Sequence, residues 1–104
     1  METDKEKKKN LYILKHIYIT SINFGTEYWN PSVYTSLYDD YYKAVGHLTE
    51  EFSQKLDLER RNARNNSKPE PVYTQEPKCA CIRCGLGENN WSVDQWSIES
   101  IYVE

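Results

Sequence analysis

The chain has 104 residues, of which 28% are charged and 38% hydrophobic, and its formal net charge is −3. This length suits one domain, and no apolar run approaches the ~20 residues of a membrane-spanning helix. The negative balance argues against direct nucleic-acid binding, because proteins that grip the backbone neutralise phosphates with an excess of Lys and Arg.

The first ten residues (METDKEKKKN) mix Lys and Glu without apolar periodicity. This composition predicts a disordered charged tail over residues 1–10 and a single α+β domain over residues 11–104. The segment has no apolar stretch before a small-residue cleavage site, so it lacks the pattern of a secretory signal. We therefore expect a cytoplasmic protein.

Residues 11–24 (LYILKHIYITSINF) predict a long strand, because β-branched and aromatic residues dominate and Gly and Pro are absent. Alternation divides its side chains between two faces. One face is aliphatic and is predicted to lie under a helix: Leu11, Ile13, Lys15, Ile17 and Ile19. The other is more amphipathic, and we expect it to be solvated or covered by a partner: Tyr12, Leu14, His16, Tyr18, Thr20 and Ile22.

Residues 32–36 (SVYTS) predict a second strand, antiparallel to the first. A long helix is then predicted over residues 37–65, with Ser36 as its N-cap and Asp39 and Asp40 near its positive end. Its apolar residues recur every three or four positions, as expected for a buried stripe. The stripe comprises Tyr41, Val45, Leu48, Phe52 and Leu56, with Ala44 beside it.

The last third of the chain follows a linker at residues 65–71. Residues 72–74 are a candidate short strand, limited by Pro77. Residues 79–84 and 91–104 predict a hairpin across a loop rich in Gly and Asn. The predicted fold is therefore α+β, with a small antiparallel sheet of about four strands packed by one long amphipathic helix in the order β-β-α-β-β.

Three cysteines form a C-x-C-x-x-C pattern at Cys79, Cys81 and Cys84. Thiolates bind zinc, but a structural site wants four ligands, and the fourth would have to be His16, His47, a carboxylate or a residue of a second chain. The alternative is a set of reduced, partly buried thiols. Zinc therefore stays a hypothesis, and no other cofactor is predicted.

Catalytic patterns are weak in this sequence. A Cys–His nucleophile would need His16 or His47 as its base, yet His16 lies on the amphipathic strand face and His47 on the polar helix face. The adjacent pairs Asp39/Asp40 and Glu50/Glu51 point about 100° apart on a helix, so they do not converge on one substrate. We therefore predict a protein that is not an enzyme.

Aromatic residues make up 13% of the chain, and nine of them are Tyr. They serve either a Tyr-rich core or an exposed surface that docks a partner, since Tyr and Trp are frequent at interface hot spots. The residues proposed for partner binding are Tyr12, Tyr18, Tyr28, Trp29, Tyr34, Asp39, Asp40, Glu50 and Glu51. Open sheet edges and surplus aromatics also suggest a homodimer.

The segments LYILKHIYI, VYTSLYDDYYKAVGHL and WSIESIYVE resemble those of small single-domain proteins encoded by bacteriophages and bacterial mobile elements. The resemblance covers about a third of the chain. It implies an accessory protein that inhibits host defence, for example by blocking a CRISPR effector in the host cytoplasm. It defines no functional residues.

Three functions follow from these patterns. The first is a non-catalytic binding protein with an acidic face suited to a basic groove, and the resemblance implies that its partner is a host protein or protein–nucleic-acid complex. The second is a zinc-stabilised interaction module. The third is a binder that sequesters a nucleotide in an aromatic pocket.

Overall fold

A computed structural model describes residues 9–23, 27–29, 31–85 and 91–103. These residues form one helix and six strands, and the strands pair in antiparallel fashion. In chain order the elements are β1 (Lys9–Asn23), β2 (Glu27–Trp29), β3 (Ser32–Tyr38), α1 (Tyr41–Asn65), β4 (Val72–Glu76), β5 (Cys79–Cys84) and β6 (Trp91–Val103). The predicted α+β class is confirmed. The described helix is too polar to cross a membrane.

The six strands fill five rows of one sheet. On one side of β1, β3 pairs with residues 12–18 of β1 and β2 pairs with residues 21–23 of β1. On the other side, β6 pairs with residues 9–21 of β1. β2 and β3 therefore share the row beside β1, and the remaining rows are β6, β5 and β4. The predicted count of about four strands was too low, because residues 72–76 pair fully with β5 and add a fifth row.

The helix begins later than predicted. Tyr38 is still paired with Tyr12 as part of β3, so Ser36 is a strand residue and not an N-cap. The cap is Asp40, which has extended backbone angles and accepts a hydrogen bond from the backbone N–H of Tyr42 at 2.8 Å. The predicted C-terminal end at Asn65 is confirmed.

The core lies between α1 and one face of the sheet. Leu48, Phe52 and Leu56 of the predicted stripe are buried, and Ala44 is fully buried beside them. Tyr41 and Val45 lie at the margin of the stripe and are half-buried. The sheet contributes Leu14 of β1, Ala80 and Ile82 of β5, and Trp96 and Ile98 of β6.

The helix covers the face of β1 opposite to the one predicted. Leu14 is in the core cluster, Tyr12 contacts Tyr41 of the helix, and Lys55 of the helix lies over Tyr18. The prediction was wrong because both faces of β1 carry large apolar side chains, so alternation alone could not say which face the helix takes.

The other face of the sheet has no covering layer, since every described element except α1 belongs to the sheet. We call it the open face. It carries Leu11, Ile13, Lys15, Ile17 and Ile19 from β1. The register adds Val33, Thr35 and Leu37 from β3, and Val93, Gln95, Ser97, Glu99 and Ile101 from β6.

Candidate protein-binding surface

Three of the residues predicted to bind a partner meet at the N-terminal end of α1. The ring of Tyr12 in β1 packs edge-to-face on Tyr41 with centroids 5.7 Å apart, and Tyr41 contacts Tyr42 in the same way at 5.2 Å. Asp39 and Asp40 precede the two helical tyrosines directly. We call these five residues the tyrosine patch. They line a shallow depression of about 520 Å³ together with Asn10 and Lys43.

The helix start explains why these groups converge. Strand β3 ends at Tyr38, and Asp40 then caps α1 by accepting from the backbone of Tyr42. Since the first turn of α1 stands over β1, the turn brings Tyr41 against Tyr12 and leaves Tyr42 pointing away from the sheet. Tyr42 is 80% exposed, the largest exposed fraction among the described large hydrophobic residues.

The charges of the patch are acidic but partly balanced. Asp39 lies 3.9 Å from Lys43, and both side chains are about two-thirds exposed. An ion pair this exposed contributes less than about 1 kcal/mol and leaves the carboxylate available to another cation. The side-chain ammonium of Lys78 lies 5.9 Å from the ring centroid of Tyr41, at the edge of cation–π range.

The structure places the other predicted residues elsewhere. Tyr34 is exposed in β3 beside His16, and the half-buried ring of Tyr18 lies 4.8 Å from the Lys55 ammonium. Glu50 is exposed on the helix, while Glu51 accepts a hydrogen bond from the buried indole of Trp96 at 3.1 Å. The side chains of Tyr28 and Trp29 lie outside the described part of the chain. The predicted set is therefore not one continuous surface.

Sequence reasoning missed the surface position of the half-buried Tyr41 and of the exposed Tyr42. The 3.6-residue period placed Tyr41 in the buried stripe, and Tyr42 was not singled out. The motif DDYY at residues 39–42 carries a usable signal, because an Asp N-cap places the next two aromatic residues about 100° apart on the first turn, so that one can lie against the sheet while the other is exposed.

A second group of polar residues lies under the middle of α1. Asp94 of β6 is 1% exposed, and its Oδ1 is 2.7 Å from Nε2 of His16. Its Oδ2 has no hydrogen-bond partner among the described residues, but the Lys55 ammonium lies 3.6 Å away and is itself 3.5 Å from Glu59. We call His16, Lys55, Glu59 and Asp94 the carboxylate cluster.

Electrostatics in the carboxylate cluster favour charge neutralisation. Burial alone lowers the pKa of Lys55, but the nearby carboxylates of Asp94 and Glu59 more than offset this effect and hold the pKa above its ordinary value. The imidazole of His16 stacks on Trp96 with centroids 4.4 Å apart. These two contacts hold the imidazole ring in place between Asp94 and Trp96.

The thiol nearest this cluster is not activated. Burial, reinforced by the Glu59 carboxylate, raises the pKa of Cys84 to about 11. A thiol of this kind is almost wholly protonated at neutral pH and is a poor nucleophile. Cys84 pairs with Ser92 of β6, whereas His16 pairs with Trp96, four residues further along the same strand. The side chains of Cys84 and His16 therefore lie about 13 Å apart along the strand direction.

The three cysteines do not converge. In β5 Cys79 and Cys81 alternate with the buried Ala80 and Ile82 and so lie on the open face, while Cys84 packs against the core on the helix side. The described residues contain no group of three or more His, Cys, Asp and Glu arranged to hold a metal ion. Zinc bound by all three thiolates of one chain thus lacks a preformed site in this geometry.

No family model, curated protein or solved structure matches this chain. The resemblance to phage-encoded proteins therefore stays a prediction.

Proposed function

We propose that this chain is a non-catalytic binding protein that docks a basic surface of a partner protein through the tyrosine patch. The carrying observation is the convergence of Tyr12, Tyr41 and Tyr42 around two carboxylates, with Tyr42 80% exposed. Tyr combines a large rigid contact area with a hydrogen-bonding tip, and residues of this kind dominate interface energetics.

The chemistry of the patch favours a cationic anchor on the partner. An Arg guanidinium stacks on aromatic rings and pairs with carboxylates at the same time. Asp39 and Asp40 give the depression two negative charges against one positive charge at Lys43, and the Lys78 ammonium lies at its edge, 5.9 Å from the ring centroid of Tyr41. The resemblance noted above adds a host defence protein, such as a CRISPR effector, as the expected partner, because the nucleic-acid groove of such a protein is basic.

The absence of catalysis is part of this proposal. It is supported by the state of the titratable groups under α1. His16 is bound to Asp94, Lys55 to two carboxylates, and the Cys84 thiol is held protonated. Each of these three groups is in contact with a neighbouring carboxylate or is held protonated, whereas a catalytic base or nucleophile needs a free position facing substrate.

The test is affinity capture from a bacterial host lysate at physiological salt, quantified by mass spectrometry for matched variants. Tyr42→Ser removes the exposed ring of the patch and should weaken capture by roughly 30-fold, as for an interface hot spot of about 2 kcal/mol. Tyr34→Ser is the control, because Tyr34 is 60% exposed but lies outside the patch.

Three outcomes are informative. Loss of one captured protein with Tyr42→Ser and its retention with Tyr34→Ser support the proposal. Equal capture by both variants contradicts the role of the patch. Recovery of no protein by the wild-type chain contradicts the binding function itself.

A cleft near the C-terminal end of α1 favours a second candidate, the sequestration of a small ligand such as a nucleotide. The cleft has a volume of about 480 Å³, within the usual range of ligand pockets. Tyr18 supplies an aromatic surface, and Glu59, Asn62 and Asn66 supply polar groups. A bound ligand raises the melting temperature. A flat thermal-shift response across a nucleotide set would remove this candidate.

A further inference from the structure

We propose that a second copy of this chain covers the open face, so that two sheets pack face to face with the helices outside. The inference does not depend on the tyrosine patch, which lies on the helix side of the sheet. A dimer of this kind displays two patches on its outer surfaces.

The open face carries eight aliphatic side chains over three neighbouring rows, with Lys15, Thr35, Gln95, Ser97 and Glu99 among them. Val33, Leu37 and Ile101 are 58%, 59% and 41% exposed. The half-buried side chains between them are Leu11, Ile13, Ile17, Ile19 and Val93. Soluble monomers rarely expose a continuous apolar patch larger than a few hundred Å². A sheet face of this composition is typical of one half of a β-sandwich.

The rest of this sequence cannot supply the missing layer. Outside the described ranges its large apolar residues are Met1, Phe24 and Leu86. The first eight positions (METDKEKK) are otherwise charged or polar. Three scattered apolar side chains are too few to cover eight aliphatic ones, and a second copy of this chain is the cover that we propose.

The charges of the sheet face suit a copy of itself. Lys15 and Glu99 lie 3.9 Å apart on the open face, and the outer rows add Arg83 and Glu76 on the same side. Among the described side chains of this face, positive and negative groups are therefore equal in number, which gives no selection for a strongly charged partner. We consider a twofold axis that is parallel to the strands and lies between the rows β1 and β6. Such an axis places β1 of one copy over β6 of the other, so Lys15 of one copy lies near Glu99 of the second copy.

The size of the face fits a stable interface. Strand rise and spacing give the rows β3, β1, β6 and β5 an area on the order of 700 Å², close to the ≈800 Å² per partner of standard interfaces. The fold is also flat, since its principal-axis extents are 63 × 28 × 15 Å, and extended, since its Cα radius of gyration is 17.5 Å against about 13 Å for a compact domain of 100 residues.

Sedimentation equilibrium over a wide concentration range tests this proposal. It is run with a reducing agent, because Cys79 and Cys81 share the open face and could cross-link two copies. The wild-type chain should sediment at twice the mass of one chain. Val33→Lys combined with Leu37→Lys should weaken dimerisation on the order of 100-fold or more, since two charges enter an apolar interface.

Controls separate loss of the dimer from loss of the fold. Val33 and Leu37 are already more than half exposed, so the double variant should keep the circular dichroism spectrum of the wild type. If it does not, Ile101→Lys places a charge on another row of the same face. Leu58→Lys changes a 44% exposed leucine of α1 and should leave the dimer intact.

A wild-type chain that sediments as a monomer throughout overturns the proposal, as does a folded open-face variant that remains dimeric. Either result leaves the capture experiment with Tyr42→Ser unaffected. Conversely, a failed capture experiment does not contradict the dimer. The experiments therefore test docking through the tyrosine patch and dimerisation through the open face independently.

Discussion

At the scale of single residues, Asp94 has the least predictable position in the chain. Its carboxylate is buried, bonds His16 at 2.7 Å and lies 3.6 Å from the Lys55 ammonium. These contacts join β1, β6 and α1 across the core. Nothing in the local pattern WSVDQW identifies the aspartate as buried, because its partners lie 78 and 39 positions away along the chain.

Asp94→Asn should lower the free energy of unfolding by about 2 kcal/mol. Removal of one partner from a buried ion pair usually costs about 3–5 kcal/mol, and the loss is smaller here because Lys55 keeps Glu59 and is 27% exposed. Urea denaturation measures the change. Asp57→Asn breaks an exposed pair with Arg61 and should cost less than about 1 kcal/mol. Equal losses for the two variants would contradict the structural role of Asp94.

The unfolding free energy should fall as the pH rises from 9 to 11. Burial and Glu59 raise the pKa of Cys84 from 9.0 to about 11 in the folded chain. Between these two pH values the thiol is ionised in the unfolded chain but still protonated in the folded chain, so rising pH favours the unfolded chain. The pKa of Lys55 is also raised, and its contribution is lost in the same direction. Cys84→Ala should show a shallower decline. An identical pH dependence in both proteins argues against the raised thiol pKa.

At the scale of elements, the helix was the easiest to predict and the strand faces were the hardest. Leu48, Phe52 and Leu56 repeat at the helical period and are buried together. The two faces of β1 both contain aliphatic residues, so the period of two did not select the side that α1 covers. The helix start was misplaced because residues 36–38 carry no mark that they pair with β1.

Asp40→Ala should lower the unfolding free energy by about 1 kcal/mol, because the first turn of α1 loses its side-chain cap. Ser36→Ala should change it by less than about 0.5 kcal/mol, since an exposed strand residue away from special contacts matters little. Chemical denaturation of both variants distinguishes the two caps. A larger effect at Ser36 would restore the earlier start of the helix.

At the scale of the whole molecule, the sheet leaves one face bare. One helix covers the side of Leu14, and the described chain offers no second layer for the side of Ile13 and Ile17. The proposed dimer gives these aliphatic residues a partner. It also leaves the tyrosine patch free on the outside, where docking of a basic protein surface is proposed.

The melting temperature of the wild-type chain should rise with protein concentration, because association stabilises the folded state by mass action. The variant with Val33→Lys and Leu37→Lys should melt at a temperature that does not depend on concentration. Differential scanning calorimetry at several concentrations measures both. A wild-type melting temperature that is constant over the same range would count against the dimer.

The sequence by itself determined the α+β class, the buried stripe of α1 and the strand character of β1, β5 and β6. These follow from side-chain periodicity and turn residues, which are local properties. Tertiary structure alone decided which face of β1 is buried, that β4 completes a fifth row, and that Asp94 meets His16 and Lys55. Those features depend on which strands pair and in which register, and contacts between residues far apart in the chain leave no local signature.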